Sequence, residues 1–158
     1  MRTRDVITSV ALPVAAAVAG SVASARGARS AWYRELRKPP FQPPAEVFPV
    51  VWTALYASSI GASLAAQREM RGAEKDSYQR ALAVNMALNA GWCWTFFAFR
   101  RQGAAVAVAG ALAASTWGLA ARSGAARPGA GAALVPYAAW TTFATVLTEA
   151  IRRRNRER

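Results

Sequence analysis

The sequence predicts an all-α fold, an integral membrane bundle of five transmembrane helices that forms a single domain over residues 1–158. Two observations predict it. Five stretches of 19 to 21 residues contain no Asp, Glu, Lys or Arg, and nearly all of the basic residues lie between them. A charge at the bilayer centre costs several kcal/mol, and about 20 helical residues cross the hydrocarbon core. The predicted spans are residues 6–25, 47–67, 81–99, 102–121 and 128–148.

A soluble helical bundle is the main alternative fold, because the mean hydropathy of +0.11 is low for a membrane protein. Alanine, which is only mildly hydrophobic, and the arginines between the spans account for this average. Soluble amphipathic helices carry a charged residue every turn or two, whereas the five stretches carry none. The length of the uncharged stretches therefore favours the membrane.

The basic residues also predict an orientation. Alternate gaps place twelve Lys and Arg residues on the face that holds residues 26–44, Arg100 and the C-terminus, and eight on the other face. An excess of basic residues marks the cytoplasmic side. We therefore expect a bacterial cell membrane with the C-terminus in the cytoplasm, and the lipid bilayer rather than nucleic acid as the partner of a chain with net charge +12.

Two features of the composition exclude classes of chemistry. The chain has no histidine, which excludes imidazole metal sites, His-ligated haem and histidine general bases. Its one cysteine, Cys93, cannot form an intramolecular disulfide and lies between two tryptophans, where we expect it to pack rather than react. We therefore expect no catalytic residues, no metal site and no required cofactor.

The first predicted span is interpreted as a retained helix, because no small-residue cleavage site follows it. Ala16, Gly20 and Ser24 recur every fourth residue and predict a face for close helix packing. Residues 26–44 then form the longest connection, which contains Trp32 and Tyr33. Its prolines prevent a continuous helix, so we expect a lid-like loop.

The second and fifth spans each carry a stripe of side chains on one face. The deeper part of the second stripe holds hydroxyls, and small residues follow the tryptophan in the fifth. The stripes are Phe48, Trp52, Tyr56, Ser59 and Ser63 in the second span, and Trp140, Ala144 and Thr148 in the fifth.

The third span has two contrasting faces. Asn85, Asn89, Trp92 and Phe96 fall at i, i+4, i+7 and i+11, which places them in one narrow stripe. The opposite face repeats small residues at Ala83, Ala87 and Gly91, a spacing that favours close contact with another helix. We expect the first face to meet a ligand and the second to form a homodimer, with packing inside one subunit as the alternative. The fourth span follows after only Arg100 and Arg101, so the two helices are predicted to be antiparallel neighbours.

Four stretches resemble the TspO/MBR family of tryptophan-rich sensory and translocator proteins in order and spacing. They are Trp32-Tyr33-Arg34-Glu35-Leu36-Arg37-Lys38-Pro39 with Phe41 and Pro43-Pro44; Val47-Phe48 with Val51-Trp52 and Leu55-Tyr56; Leu88-Asn89 with Trp92 and Phe96-Phe97; and Pro136-Tyr137 with Trp140 and Phe143-Ala144. The chain departs from the family at Phe41, where tryptophan is common, and at Thr148, where asparagine is common.

The resemblance implies a membrane receptor, sensor or transporter that binds tetrapyrroles such as protoporphyrin IX or haem-like molecules in a pocket inside the bundle. Aromatic rings offer stacking surface to such a flat ligand, while Asn and Tyr orient it by hydrogen bonds. Arg34, Arg37 and Lys38 would attract its carboxylates. The expected ligand-binding residues are Trp32, Tyr33, Phe48, Trp52, Tyr56, Asn85, Asn89, Trp92, Phe96, Trp140 and Ala144.

Other interpretations of the same residues remain open. An enzyme that promotes oxidative or light-dependent porphyrin degradation is one alternative, and a helical membrane adaptor with an incidental pocket is another. Tryptophan and tyrosine also collect at bilayer interfaces without any ligand, and Asn89 is equally consistent with a hydrogen bond between helices. Glu149, which precedes three arginines, is interpreted as a partner in an interfacial ion pair rather than a buried proton carrier.

Overall fold

The computed structural model describes residues 3–156, which form six α-helices and one π-helical turn. The helices are α1 (Thr3–Ala28), α2 (Ala31–Glu35), α3 (Val47–Glu69), α4 (Gly72–Cys93), α5 (Gln102–Ala126) and α6 (Pro128–Arg154), and the π-helical turn (Trp94–Ala98) continues α4. By length and composition, α1, α3, α5 and α6 are able to cross a membrane. The fifth long helix, α4, begins with charged residues and carries its apolar part towards the π-helical turn. The all-α membrane bundle is thus confirmed.

The five long helices form a closed ring. The main contacts run from α1 to α3, from α3 to α6, from α6 to α5, from α5 to α4 and from α4 back to α1. Consecutive long helices run in opposite directions. We call one end of the ring the α2 end, where residues 29–46, Arg100 and the end of α6 lie. The other is the N-terminal end, which holds the start of α1, the joint at Met70 and Arg71, and Arg127.

The helix limits differ from the predicted spans outside the hydrocarbon core. The third predicted span, 81–99, corresponds to the later part of α4 and the π-helical turn, but α4 already begins at Gly72. The predicted loop 26–44 includes the last turn of α1 and all of α2. Ser30 caps α2, because its side chain accepts a hydrogen bond from the backbone N–H of Tyr33. An uncharged stretch marks the part of a helix that lies inside the hydrocarbon core. The helix itself can continue beyond the core, where its polar side chains contact water or other residues.

Small residues permit the closest helix contacts. Ala16 and Gly20 are buried on α1, as their spacing predicted, whereas Ser24, the third residue of the predicted face, is half-buried. A Cβ added at Gly20 would lie 3.2 Å from the Cys93 sulfur, and one at Gly131 would lie 2.5 Å from the Gly124 Cα. The α5–α6 pair therefore depends on glycine at its crossing.

The joint between the π-helical turn and α5 is tight. Arg100 adopts a positive φ of 56°, the left-handed region that a non-glycine residue rarely occupies. This conformation reverses the chain within two residues. It also places the Arg100 guanidinium 5.6 Å from the centre of the Trp32 ring.

Candidate ligand-binding site

Aromatic side chains from five elements meet at the α2 end of the ring. The Trp32 and Tyr33 rings of α2 lie 5.7 and 6.4 Å from the ring of Phe96 in the π-helical turn. The Trp52 ring lies 6.1 Å from that of Trp92 across the α3–α4 contact. We refer to the rings of Trp32, Tyr33, Phe48, Trp52, Trp92, Phe96 and Trp140 as the aromatic cluster.

The wall formed by α3 and α6 completes this cluster. The Phe48 and Trp140 rings are 5.9 Å apart and approach edge to face. Ala144, one turn along α6 from Trp140, is 5% exposed and packs among the buried residues of the cluster. Edge-to-face and tilted contacts of this kind are favourable beyond the area that they bury. Because the rings contact one another, a flat ligand must separate them in order to enter.

A chain of hydrogen bonds lies beneath the aromatic cluster and links four helices. The Tyr56 hydroxyl donates to Asn89 Oδ1 at 2.7 Å, and Asn89 Nδ2 donates to the Tyr137 hydroxyl at 3.0 Å. Tyr137 in turn donates to Asn85 Oδ1 at 2.9 Å. Asn85 Nδ2 then donates to Thr116 Oγ1 on α5 at 2.9 Å. Each group in this chain acts in the direction that its chemistry allows, so the buried polar atoms satisfy one another.

This chain assigns different positions to the two predicted asparagines. Asn89 lies at the floor of the aromatic cluster, since Tyr56 contacts both it and the Trp52 ring. Asn85 lies one helical turn further from the α2 end and directs its amide towards Ser115 and Thr116 of α5. The structure thus brings Asn89 to the cluster and places Asn85 behind it.

The indole N–H groups of Trp92 and Trp140 differ in their hydrogen bonding. Trp92 Nε1 donates to Thr148 Oγ1 at 3.2 Å, so threonine still supplies an acceptor at the position where the family commonly has asparagine. Trp140 Nε1 is buried and has no hydrogen-bond partner within residues 3–156. An unpaired buried donor is costly, so this N–H is available to a further hydrogen-bond acceptor.

Residues 29–46 cover the α2 end and are held there by a reciprocal pair of hydrogen bonds. The Arg37 N–H donates to Asn155 Oδ1, and Asn155 Nδ2 donates to the Arg37 carbonyl, each at 3.1 Å. Leu36 beside this pair is 9% exposed and packs with Trp92 and Phe96. The connection therefore lies as a lid on the aromatic cluster.

Some of the charged residues around the lid already form hydrogen bonds or ion pairs within the protein. Lys38 Nζ donates to the Tyr33 carbonyl at 2.8 Å and lies 4.5 Å from the centre of the Tyr33 ring. Glu149 accepts hydrogen bonds from Arg152 and Arg153, at distances between 2.5 and 2.7 Å. These hydrogen bonds hold the pKa of Glu149 below its ordinary value of 4.5, at about 2. Glu149 therefore stays ionised in an ion pair at the end of α6, as its neighbours predicted.

Sequence reasoning left Tyr137 out of the site, although the structure places it at the centre of the hydrogen-bond chain. It is 1% exposed, and its ring lies 6.4 Å from that of Trp52. The signal was present, because Tyr137 lies three residues before Trp140 and on the same helical face. Phe97 and Phe143 also pack against the cluster and were not predicted to contact a ligand.

Comparison with known proteins agrees with this architecture. The sequence matches the TspO/MBR family over residues 9–154. It is 37% identical over 127 residues to the tryptophan-rich sensory protein of Cereibacter sphaeroides, covering 77% of this chain and 75% of that protein. It is 35% identical over 130 residues to the human translocator protein, covering 78% and 75% of the two chains.

A third relative is matched over more of its length. Protein CrtK of Rhodobacter capsulatus is 32% identical over 142 residues, which cover 87% of this chain and 89% of that protein. The family match covers the lid, the aromatic cluster and the hydrogen-bond chain. The chain is therefore an integral membrane protein and a member of the TspO/MBR family.

Proposed function

We propose that this protein is a membrane receptor or transporter that binds tetrapyrroles, such as protoporphyrin IX, between the rings of the aromatic cluster. The observation that carries the proposal is the unpaired Trp140 Nε1, a buried donor in an otherwise aromatic wall. A tetrapyrrole offers a flat apolar face to the rings and a carboxylate to this N–H. The protein supplies the whole site and requires no resident cofactor.

The lid is part of this proposal. Opening it requires the two hydrogen bonds between Arg37 and Asn155 to break, which removes Leu36 from the cluster. The rings of Trp32 and Tyr33 move with α2, so the ligand gains space between α2 and the π-helical turn. Arg34 and Arg37 are exposed beside this opening and attract carboxylates.

Replacement of Trp140 by Phe tests the site, because it removes the indole N–H and keeps a smaller aromatic ring. The dimethyl ester of protoporphyrin IX separates the loss of the N–H from the loss of ring surface. Loss of a hydrogen bond to a charged group costs about 1.5–3 kcal/mol, so protoporphyrin IX should bind about tenfold to a hundredfold more weakly. The matched control is Trp117→Phe on α5, whose exposed indole donates to Thr142 outside the bundle. Binding is measured by isothermal titration in lipid nanodiscs.

The ligand itself provides a second control. Protoporphyrin IX dimethyl ester lacks the carboxylates, so Trp140→Phe should change its affinity much less than that of the free acid. Equal losses for the two ligands would contradict the role of Trp140. Mass spectrometry of the recovered ligand separates binding from degradation, and no binding above that of an unrelated five-helix protein would favour an adaptor.

We further propose that the C-terminus lies in the cytoplasm of a bacterial cell membrane, because the sequence segments assigned to its side of the bilayer contain twelve of the twenty basic residues. Single cysteines at the exposed positions Ala45 and Ala73 test the orientation in a Cys93→Ala background. In intact cells a membrane-impermeant thiol reagent should label residue 73 and not residue 45. The reverse pattern would invert the orientation.

A further inference from the structure

A cavity of about 550 Å³ lies at the N-terminal end of the ring, far from the aromatic cluster. Its charged lining comes from α1, from the end of α3, from α4 and from the joint between α3 and α4. The lining residues with charge are Arg4, Asp5, Arg68, Arg71, Lys75 and Asp76. Four cations against two carboxylates give this cavity an excess of positive charge.

The ion pairs inside the cavity leave two cations available. Lys75 Nζ lies 2.9 Å from Asp5 Oδ2, and Arg4 lies 3.5 Å from Asp76. Among the residues that the structure describes, Arg68 and Arg71 form no ion pair. The net charge of +2 therefore resides in two exposed guanidinium groups, which are suited to bidentate contacts with oxyanions.

A buried amide oxygen identifies the second group that a ligand must offer. Gln79 lines the cavity and is 5% exposed. Its Nε2 donates to Asp5 Oδ1 at 3.2 Å and to Gln67 Oε1 at 2.8 Å, which fixes the orientation of the amide. Its Oε1 is buried without a hydrogen-bond partner in the described chain. This oxygen accepts hydrogen bonds, so it requires a donor.

The depth of the cavity matches the headgroup region of a bilayer. Every residue that lines it lies outside the uncharged stretches 6–25, 47–67 and 81–99 of the three helices concerned. The helices therefore leave the hydrocarbon core at the level of the cavity. The phosphate groups of lipids lie just outside the hydrocarbon core, and guanidinium groups at that depth can form bidentate contacts with them.

We propose that this cavity is a binding site for a phosphate ester that carries a hydrogen-bond donor near the phosphate. The phosphate contacts Arg68 and Arg71, and the donor, an ammonium or a hydroxyl group, contacts Gln79 Oε1. A phospholipid headgroup such as phosphoethanolamine has this chemistry, and so does a small soluble phosphate ester. The site does not depend on the aromatic cluster or on its ligand.

The double substitution Arg68→Gln and Arg71→Gln tests the phosphate contact in the delipidated full-length protein in detergent. Phosphoethanolamine and a short-chain phosphatidylethanolamine should each be tested, by isothermal titration and native mass spectrometry respectively. The probe that binds the unaltered protein should bind this variant at least about tenfold more weakly. The control is Arg122→Gln with Arg127→Gln, which removes the same charge from the same end of the ring outside this cavity. Equal weakening in both variants would reduce the effect to general electrostatics and overturn the proposal.

The choice of probe separates the two sources and tests the donor. Binding of the lipid alone identifies a headgroup site, and comparable binding of free phosphoethanolamine identifies a soluble ester. Each probe has a counterpart that lacks the donor: methyl phosphate for phosphoethanolamine, and phosphatidylmethanol for phosphatidylethanolamine. The probe that binds should have an affinity about tenfold higher than that of its counterpart. Equal affinity for a probe and its counterpart would overturn the role of Gln79 Oε1, and no binding of any probe would overturn the site.

Discussion

Tyr56 on α3 donates a 2.7 Å hydrogen bond to Asn89 on α4, and Asn89 Nδ2 donates in turn to the hydroxyl of Tyr137 on α6. Three helices of the ring are thereby joined at the floor of the aromatic cluster. The sequence was equally consistent with two roles for Asn89, contact with a ligand and a hydrogen bond between helices. In this structure its side chain joins helices, so a ligand that reached it would have to replace a bond that is already made.

The hydrogen-bond chain predicts that Tyr137→Phe destabilises the bundle. The substitution removes one acceptor for Asn89 and one donor to Asn85, and both amides are buried. We expect a loss of about 1–2 kcal/mol in the free energy of unfolding. Titration with SDS, followed by circular dichroism, measures it.

Tyr56→Phe is the matched control, because it removes a donor from the end of the same chain and leaves Tyr137 in place. Its effect should be smaller than that of Tyr137→Phe. A Tyr137→Phe protein as stable as the original would show that the asparagines find other partners.

The bundle was predictable because the bilayer excludes charge from its centre, and five uncharged stretches met that test. The same physics explains why the helix limits were not. Lys75 and Asp76 extend α4 beyond the hydrocarbon core, where charge is tolerated and carries no information about where a helix begins.

The sequence predicted which helix faces point into the site, but not which side chains are hydrogen-bonded to one another. The spacing of Asn85, Asn89, Trp92 and Phe96 predicted one face, and all four are buried inside the ring. Their partners lie on other helices and follow from tertiary packing. Asp5 shows the limit most clearly, since it is 2% exposed owing to partners 70 and 74 residues away.

The lid gives a second prediction. Asn155→Ala removes both hydrogen bonds to Arg37, so the backbone of residues 31–42 should open more often. Two bonds of about 1 kcal/mol each correspond to an increase in hydrogen exchange of roughly tenfold or more. Mass spectrometry of peptides from the lid measures the exchange rate.

Two further variants separate the lid contact from general effects at the end of α6. Asn155→Asp keeps an acceptor for the Arg37 N–H and should give an intermediate rate. Arg154→Ala changes an exposed neighbour and should leave the rate unchanged. If exchange in the lid were the same in Asn155→Ala as in the unaltered protein, Leu36 and the aromatic contacts alone would hold the lid closed.

The third prediction concerns the crossing of α5 and α6. A Cβ at Gly131 would lie 2.5 Å from the Gly124 Cα and 2.9 Å from the Ala120 carbonyl oxygen, and backbone atoms cannot yield as a flexible side chain does. Gly131→Ala should therefore destabilise the protein by about 1–3 kcal/mol. Gly129→Ala is its control two residues earlier, where an added Cβ has no atom within 4 Å among the neighbours described. Thermal unfolding in detergent should show a loss for Gly131→Ala alone, and equal melting temperatures would mean that the two helices separate without cost.

The last prediction is a homodimer that uses the face of α4 opposite its buried asparagines. Ala87 is exposed and lies about half a turn from both Asn85 and Asn89, while α1 and α5 occupy the flanks of α4. Small residues on such a face allow two backbones to approach closely and gain van der Waals contact. Ala87→Leu should therefore convert the dimer to a monomer.

Two measurements test this dimer and its independence from the aromatic cluster. Mass photometry in lipid nanodiscs reports the oligomeric state, and Ala107→Leu on the exposed surface of α5 serves as the matched control. Protoporphyrin IX should bind to the Ala87→Leu monomer with nearly unchanged affinity, because the substitution lies opposite Asn89. A dimer that persists would place the interface on another helix. A monomer that had lost its ligand would show that the outer face of α4 and the aromatic cluster depend on each other.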